Sequence, residues 1–164
     1  CYELDFAGYL NTYSHNTNLL RFLFDTTPTV DFVNFTRMDG RIAVLNMGDF
    51  LCSLETGRSE YHYWDEIIQV YFKKGHLTIK TPPALLRNIS ARVELYQSTE
   101  KPETIIYSGN WSWAFKRQAN AFVENILNKK PSISPGSDAL EDMKLCEKMW
   151  KMQIERNPTK NMKI

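Results

Sequence analysis

What this chain has little of narrows it first. Cysteine is scarce: Cys1, Cys52 and Cys146 are an odd number with no CxxC spacing. That excludes a disulfide framework and a paired-thiol zinc site, and it leads us to expect a reducing, cytoplasmic location. Glycine is scarce as well. The glycines stand at 8, 40, 48, 57, 75, 109 and 136, and none is followed two positions later by another. These residues therefore hold no GxG turn to cradle the phosphates of a dinucleotide or a nucleoside triphosphate. GxSxG and HExxH are missing too. Neither sign of charge is in excess, with 20 Lys plus Arg against 19 Asp plus Glu and a formal net charge of +1, which argues against nucleic acid as a partner. Apolar runs last only a few residues, as in Ala121-Phe122-Val123, far short of the roughly 20 needed to cross a bilayer. No membrane partner and no signal peptide are expected. The chain opens at Cys1-Tyr2-Glu3-Leu4 rather than at Met, as a piece of a longer protein would.

What is present suits a globular fold. The 164 residues are 43% hydrophobic and 24% charged, the size and composition of one domain, expected over 1–155 with 156–164 as a frayed polar tail. Residues 9–24 lack proline and glycine, and Leu19, Leu20, Leu23 and Phe24 recur at helical spacing, which predicts a helix ending near Asp25 and Pro28. After Pro28 the period switches to two. Strands are predicted over 32–38 and 41–47 around the turn dipeptide Asp39-Gly40. Further strands follow over 49–55, 64–72, 76–81, 91–97 and 104–108. Each alternates apolar with polar residues, so the fold class expected is α+β, an open and mainly antiparallel sheet with helices on one face. The other face, carrying Tyr71 and Tyr96, is either solvated or free for oligomer contacts. Two helices close the chain. Over 111–128, Phe115, Ala119, Phe122 and Ile126 form a stripe. Over 138–152, Asp138 and Glu141 resemble a capping box, and Leu140, Met143, Cys146 and Trp150 form the inner stripe. Cys146 and Cys52 are expected in the core.

Few residues stand out for chemistry. His15, His62 and His76 are scattered, without ligand partners at a zinc-like spacing, so no metal is expected. On the first helix Asn11, His15 and Asn18 share one polar face. Histidine titrates near neutrality, and neighbouring asparagines can fix its tautomer or hold substrate hydroxyls. A polar first turn with one satisfied histidine explains the same letters. The aromatic run Tyr61, His62, Tyr63 and Trp64 suits either sugar stacking or a partly buried strand. Asn34-Phe35-Thr36, Asn88-Ile89-Ser90 and Asn110-Trp111-Ser112 match the glycosylation acceptor pattern, a pattern frequent by chance.

In order and spacing, several segments together resemble the C-terminal domain of the glucose–fructose oxidoreductase, inositol dehydrogenase and rhizopine catabolism family. They are His15-Asn16-Thr17-Asn18-Leu19-Leu20-Arg21-Phe22-Leu23, the strand from Gly48-Asp49-Phe50 to Leu54-Glu55-Thr56-Gly57, the turn Thr81-Pro82-Pro83-Ala84-Leu85-Leu86-Arg87-Asn88, and the two closing helices, with Phe115, Gln118, Ala119, Ala121 and Phe122 in one and Asp138-Ala139-Leu140 opening the other. The resemblance implies an NAD- or NADP-dependent oxidoreductase acting on a sugar, cyclitol or related polyol. It also implies a separate nucleotide-binding domain that holds the cofactor, and a homo-oligomer formed through the open sheet face. His15 takes the position of the family's catalytic histidine, and Asn11 and Asn18 become substrate-binding groups. Asn11 stands where the family carries a carboxylate, and asparagine cannot hold a negative charge against an imidazolium. Glu100-Lys101-Pro102 spells the family's lysine motif but falls between two late strands, so it reads as a hairpin loop. This chain alone should be inactive. A different class also stays open, a ligand-binding or dimerisation module without redox chemistry.

Overall fold

A computed structural model describes residues 2–36, 40–57 and 66–156. In chain order the elements are α1 (Tyr2–Phe24), β1 (Thr29–Phe35), β2 (Arg41–Asn46), β3 (Leu51–Thr56), β4 (Glu66–Phe72), β5 (Gly75–Thr81), β6 (Arg92–Gln97), β7 (Glu103–Ser108), α2 (Ala114–Leu127) and α3 (Gly136–Arg156). The fold is α+β with open antiparallel sheets, as the alternating strands require. The strands divide between two of them, a three-stranded sheet in the order β1-β2-β3 and a four-stranded sheet in the order β4-β5-β6-β7. The chain divides into two compact units. The first comprises Cys1–Arg58 and Ile133–Ile164, and the second Ser59–Ser132.

The first unit is built around α1, α3 and the three-stranded sheet. The N-terminal helix begins seven residues earlier than residue 9 and runs to Phe24. It ends where Asp25 adopts a left-handed φ of 48°, a conformation an aspartate tolerates and a helix cannot continue through. In β2, Arg41, Ala43 and Leu45 point inward at period two, and Met47 just beyond it is buried as well. In β1 the inward residues are Val30 and Val33, three apart, because a register shift between Val30 and Phe32 inserts an extra residue there. Leu54 of β3 lies opposite Ala43 and completes this face. Against it pack Tyr9, Tyr13 and Leu20 of α1 with Leu145, Cys146 and Met149 of α3.

The inner face of α3 differs from the stripe that its sequence suggests. Leu140 and Met143 are exposed, and the buried positions are Asp142, Leu145, Cys146, Met149 and Gln153. Polar residues occupy this face because each meets a specific partner. Gln153 accepts from the Phe35 N–H at 2.9 Å and donates to the Phe35 carbonyl at 3.4 Å, so its amide acts as a strand neighbour for edge strand β1. Asp138 is not an N-cap, since the helix already starts at Gly136 and the Pro135 carbonyl accepts from the N–H groups of Asp138 and Ala139. Its carboxylate is spent on α1 instead. Arg156, assigned to a frayed tail above, is the last helical residue; it donates to the Val33 carbonyl at 3.3 Å and covers the Phe32 ring at 4.1 Å. The rest of that tail lies outside the described residues.

The second unit is a β-meander followed by α2. Its register aligns the alternation read from sequence: Ile68, Ile79, Val93 and Tyr107 form one row across the sheet, and Val70, Leu77, Leu95 and Ile105 the next. On the opposite face Tyr71, His76 and Tyr96 lie in a row, with ring centroids 6.2 Å apart and tilted for the first pair and 5.2 Å apart and stacked for the second. Glycine is favoured at position 75, because at φ 149° a Cβ would run into the Tyr96 carbonyl oxygen. Trp113, just before α2, donates its indole N–H to the Ala84 carbonyl at 3.0 Å and lies under the Arg87 guanidinium at 4.3 Å. The turn 81–88 is thereby pinned to the start of α2. None of the residues of α2 is buried, so Phe115, Phe122 and Ile126 form an exposed apolar stripe rather than a packed one.

Candidate functional site

The site to be tested is the polar face of α1. With 3.6 residues per turn, Tyr9, Tyr13, Thr17 and Leu20 fall on one side of this helix, and Asn11 and His15 on the other. The inner side is sealed. Tyr9 donates to the Cys146 carbonyl at 2.8 Å, and Thr17 donates to the Tyr13 carbonyl at 3.0 Å with its hydroxyl 3.9 Å from the Cys146 sulfur. Burial pushes the Tyr13 phenol up to about 12, the Cys146 thiol up to about 11, and the Tyr9 phenol further still. These groups stay protonated at neutral pH and act as core residues rather than as nucleophiles; the Tyr9 hydroxyl is hydrogen-bonded there, and the Tyr13 hydroxyl is buried without a hydrogen-bond partner. Cys52 is only half-buried on β3, less enclosed than its alternation with Leu54 suggests, and burial raises its thiol too.

Asn11 and His15 are exposed, one turn apart. Asn18, grouped with them by sequence, does something else. Its amide Nδ2 donates to the Asp138 carboxylate at 2.9 Å and to the Asp142 carboxylate at 2.7 Å. Arg21, one turn on, donates to the other oxygen of each carboxylate, at 2.7 Å to Asp138 and 2.8 Å to Asp142. It also donates to the Asp138 main-chain carbonyl at 3.1 Å and, through Nε, to the Thr27 hydroxyl at 3.3 Å. Every oxygen of the two carboxylates thus meets one nitrogen of α1. The hydrogen bond from Arg21, reinforced by Asn18, holds the Asp138 carboxyl below the usual carboxylate range. Burial works against the Arg21 charge, yet the hydrogen bonds and opposite charges of Asp142 and Asp138 outweigh it and raise its pKa.

Beside this cluster lies a cleft of roughly 410 Å³, lined by Asn18, Arg21, Phe22, Thr26, Ser134 and Asp138 among others. Asn11 and His15 do not line it. Because the guanidinium is already shared between two carboxylates and a hydroxyl, the cleft offers no uncommitted cation to an anionic ligand, and the cluster's chemistry is that of a fastener between helices. Sequence reasoning missed Arg21, Asp138 and Asp142 as a group. The available signal was a complementary pair of spacings, a donor pair three apart on one helix and an acid pair four apart on another.

Among the described residues no group of three or more His, Cys, Asp or Glu could hold a metal ion, and no helix is long and apolar enough to cross a membrane. The aromatic run Tyr61, His62, Tyr63 and Trp64 lies outside the described residues, as does Asp39 of the predicted turn. No protein-family model, curated protein or solved structure matches this chain significantly.

Proposed function

We propose that this chain is the substrate-binding and assembly domain of an NAD- or NADP-dependent oxidoreductase that acts on a hydroxyl of a sugar, cyclitol or related polyol. One observation carries the reading: α1 has a buried face sealed by tyrosines and an opposite face left open, and the open face presents a histidine with an asparagine one turn before it. The motif order that resembles the oxidoreductase family supports it. The residues here fit the substrate side of such a site and not the dinucleotide side, since no glycine-rich turn is present to hold a pyrophosphate. When bound, the dinucleotide supplies the hydride acceptor or donor. In oxidation, the His15 imidazole takes the proton of the substrate hydroxyl as the hydride leaves the same carbon; in reduction it returns that proton. Asn11 orients the imidazole or a neighbouring hydroxyl through its amide. Asn18, which the family resemblance makes a substrate-binding group, would act here by holding α1 to α3, since its amide is already shared by two carboxylates. Assembly as a homo-oligomer would use the face of the β4–β7 sheet that carries Tyr71, where Ile67, Tyr71 and Ile106 are all exposed.

The test is calorimetric titration of NAD, NADH, NADP and NADPH into the full-length gene product, followed by turnover against a panel of sugars and cyclitols. We expect one dinucleotide to bind and His15→Ala to lower kcat by at least about a hundredfold, the range of general acid–base catalysis, with dinucleotide affinity kept. No dinucleotide binding would sink the redox reading, and unchanged turnover in His15→Ala would remove its catalytic role. The second reading, a ligand-binding or dimerisation module without redox chemistry, is favoured by Asn11, which cannot supply the negative charge of an acid–histidine relay.

A further inference from the structure

We infer that the four-residue clamp of Asn18, Arg21, Asp138 and Asp142 is a positioning device: it sets the rotation of α1 about its own axis and hence the direction in which Asn11 and His15 face. The argument begins with what the apolar side of α1 can and cannot do. Burial of Tyr9, Tyr13 and Leu20 holds the helix against α3 and the sheet, and the Tyr9 hydroxyl adds a single directional bond to the Cys146 carbonyl; the rest of that contact is hydrophobic and non-directional, so a helix pivoting slightly about that one point buries nearly the same area. Forked ion pairs are directional. Here Arg21 spans two carboxylates at 2.7 and 2.8 Å, and Asn18 spans the same two at 2.9 and 2.7 Å. Both acids sit on one helix face of α3, and both donors on one flank of α1. Rolling α1 in either direction lengthens one donor's bonds or the other's.

The placement is also enclosed enough to matter. The Asp142 side chain is 4% exposed and that of Arg21 12%, so water does not readily replace a broken contact. A further hydrogen bond from Asn18 to Ser134, at 3.5 Å, and one from Ser134 to Asp138, at 3.4 Å, tie the segment leading into α3 to the same point. His15 lies three residues before Asn18 on the same rigid helix. With side-chain tips about 6 Å from a helix axis, a roll of about 10° displaces the imidazole by about 1 Å. A misplacement of that size can cost up to about a hundredfold in rate when the displaced group must meet a reacting atom. The structural half of this inference stands by itself, and its catalytic consequence rests on the proposed function.

The test reads the roll directly. In a weakly aligned sample of the full chain, amide residual dipolar couplings along α1 oscillate with the helical period, and the phase of that wave reports rotation about the axis. We expect Asp142→Asn to shift the phase of α1 relative to α3. Arg21→Lys, which keeps the charge but loses the fork, should do the same if the first variant fails to fold. Leu20→Ala, which weakens the core without touching the clamp, should leave the phase in place. An unchanged phase in the folded clamp variants, or an equal shift in Leu20→Ala, would overturn the inference. In the full-length gene product the clamp variants should lose about tenfold or more in kcat at unchanged KM for dinucleotide, and Leu20→Ala should not. If no dinucleotide binds to the wild type, the redox reading fails while the phase measurement still decides the clamp.

Discussion

The two units of this protein reach order by different means. In the first, α1, α3 and β1 to β3 enclose a core in which Tyr9, Val33, Ala43, Leu45, Cys146 and Met149 have no exposed surface. Among the described residues, every buried apolar side chain belongs to this unit. In the second, the sheet ladders are complete and the apolar residues stand in register, yet none is buried, and α2 leaves its whole stripe exposed. A hydrogen-bonded ladder fixes the path of the backbone. It does not by itself exclude water from side chains, and net stability comes largely from that exclusion. The difference suits a division of labour in which the first unit holds a helix in a defined orientation and the second offers surface.

The sharpest way to break this contrast is to cut into each unit in turn. Leu45→Ala removes a fully buried side chain from the central strand of the first sheet and should cost about 3 kcal/mol, the middle of the range for such cavities, read by chemical denaturation. Phe122→Ala on α2, where the ring is 67% exposed, should cost less than about 0.5 kcal/mol. A loss in Phe122→Ala as large as that in Leu45→Ala would mean that α2 is covered and that the contrast is wrong.

A smaller effect is expected within the second unit. Gly75→Ala places a methyl group against the Tyr96 carbonyl oxygen at a φ that L residues rarely adopt, which should cost about 2 kcal/mol. Hydrogen exchange should localise the loss to β4, β5 and β6 and leave α1 and α3 protected. Exchange that rises equally in both units would show them to be one cooperative body.

The smallest effect is one of pH, and it belongs to the first unit. The pKa of Asp138 is lowered by Arg21 and then by Asn18, so the folded state binds this proton less readily than the unfolded chain. Its contribution to stability is therefore complete above the ordinary carboxylate pKa near about 4, and it is lost as pH falls through the lowered folded value. Thermal unfolding followed across this range should show wild type and Asp138→Asn converging in acid and differing by a constant amount above roughly pH 5. A difference independent of pH would remove the ion pair as its source.

Much of this was legible in the residues. Alternation located every strand to within a few positions, since a strand with two unlike faces must alternate. The lack of proline and glycine after Gly8 marked α1, and Pro28 its limit. The inner face of α3 was less legible because Asp142 and Gln153 are buried for the sake of partners on α1 and β1, and a partner distant in sequence leaves no periodic trace. The partners of Asn18 were illegible for the same reason. Periodicity placed it beside Asn11 and His15, and only the approach of α3 turned its amide toward two carboxylates.

The sequence by itself determined which elements form, their order, and which residues of a strand share a face, because these follow from local dihedral preference and from periods of 2 and 3.6. Tertiary structure alone decided which face of each helix meets a neighbour, that the strands part into two sheets, and that four polar residues from two distant helices close into one clamp. Such outcomes depend on where chain segments more than a hundred residues apart come to rest, and that is set by the summed packing of the whole unit rather than by any stretch of it.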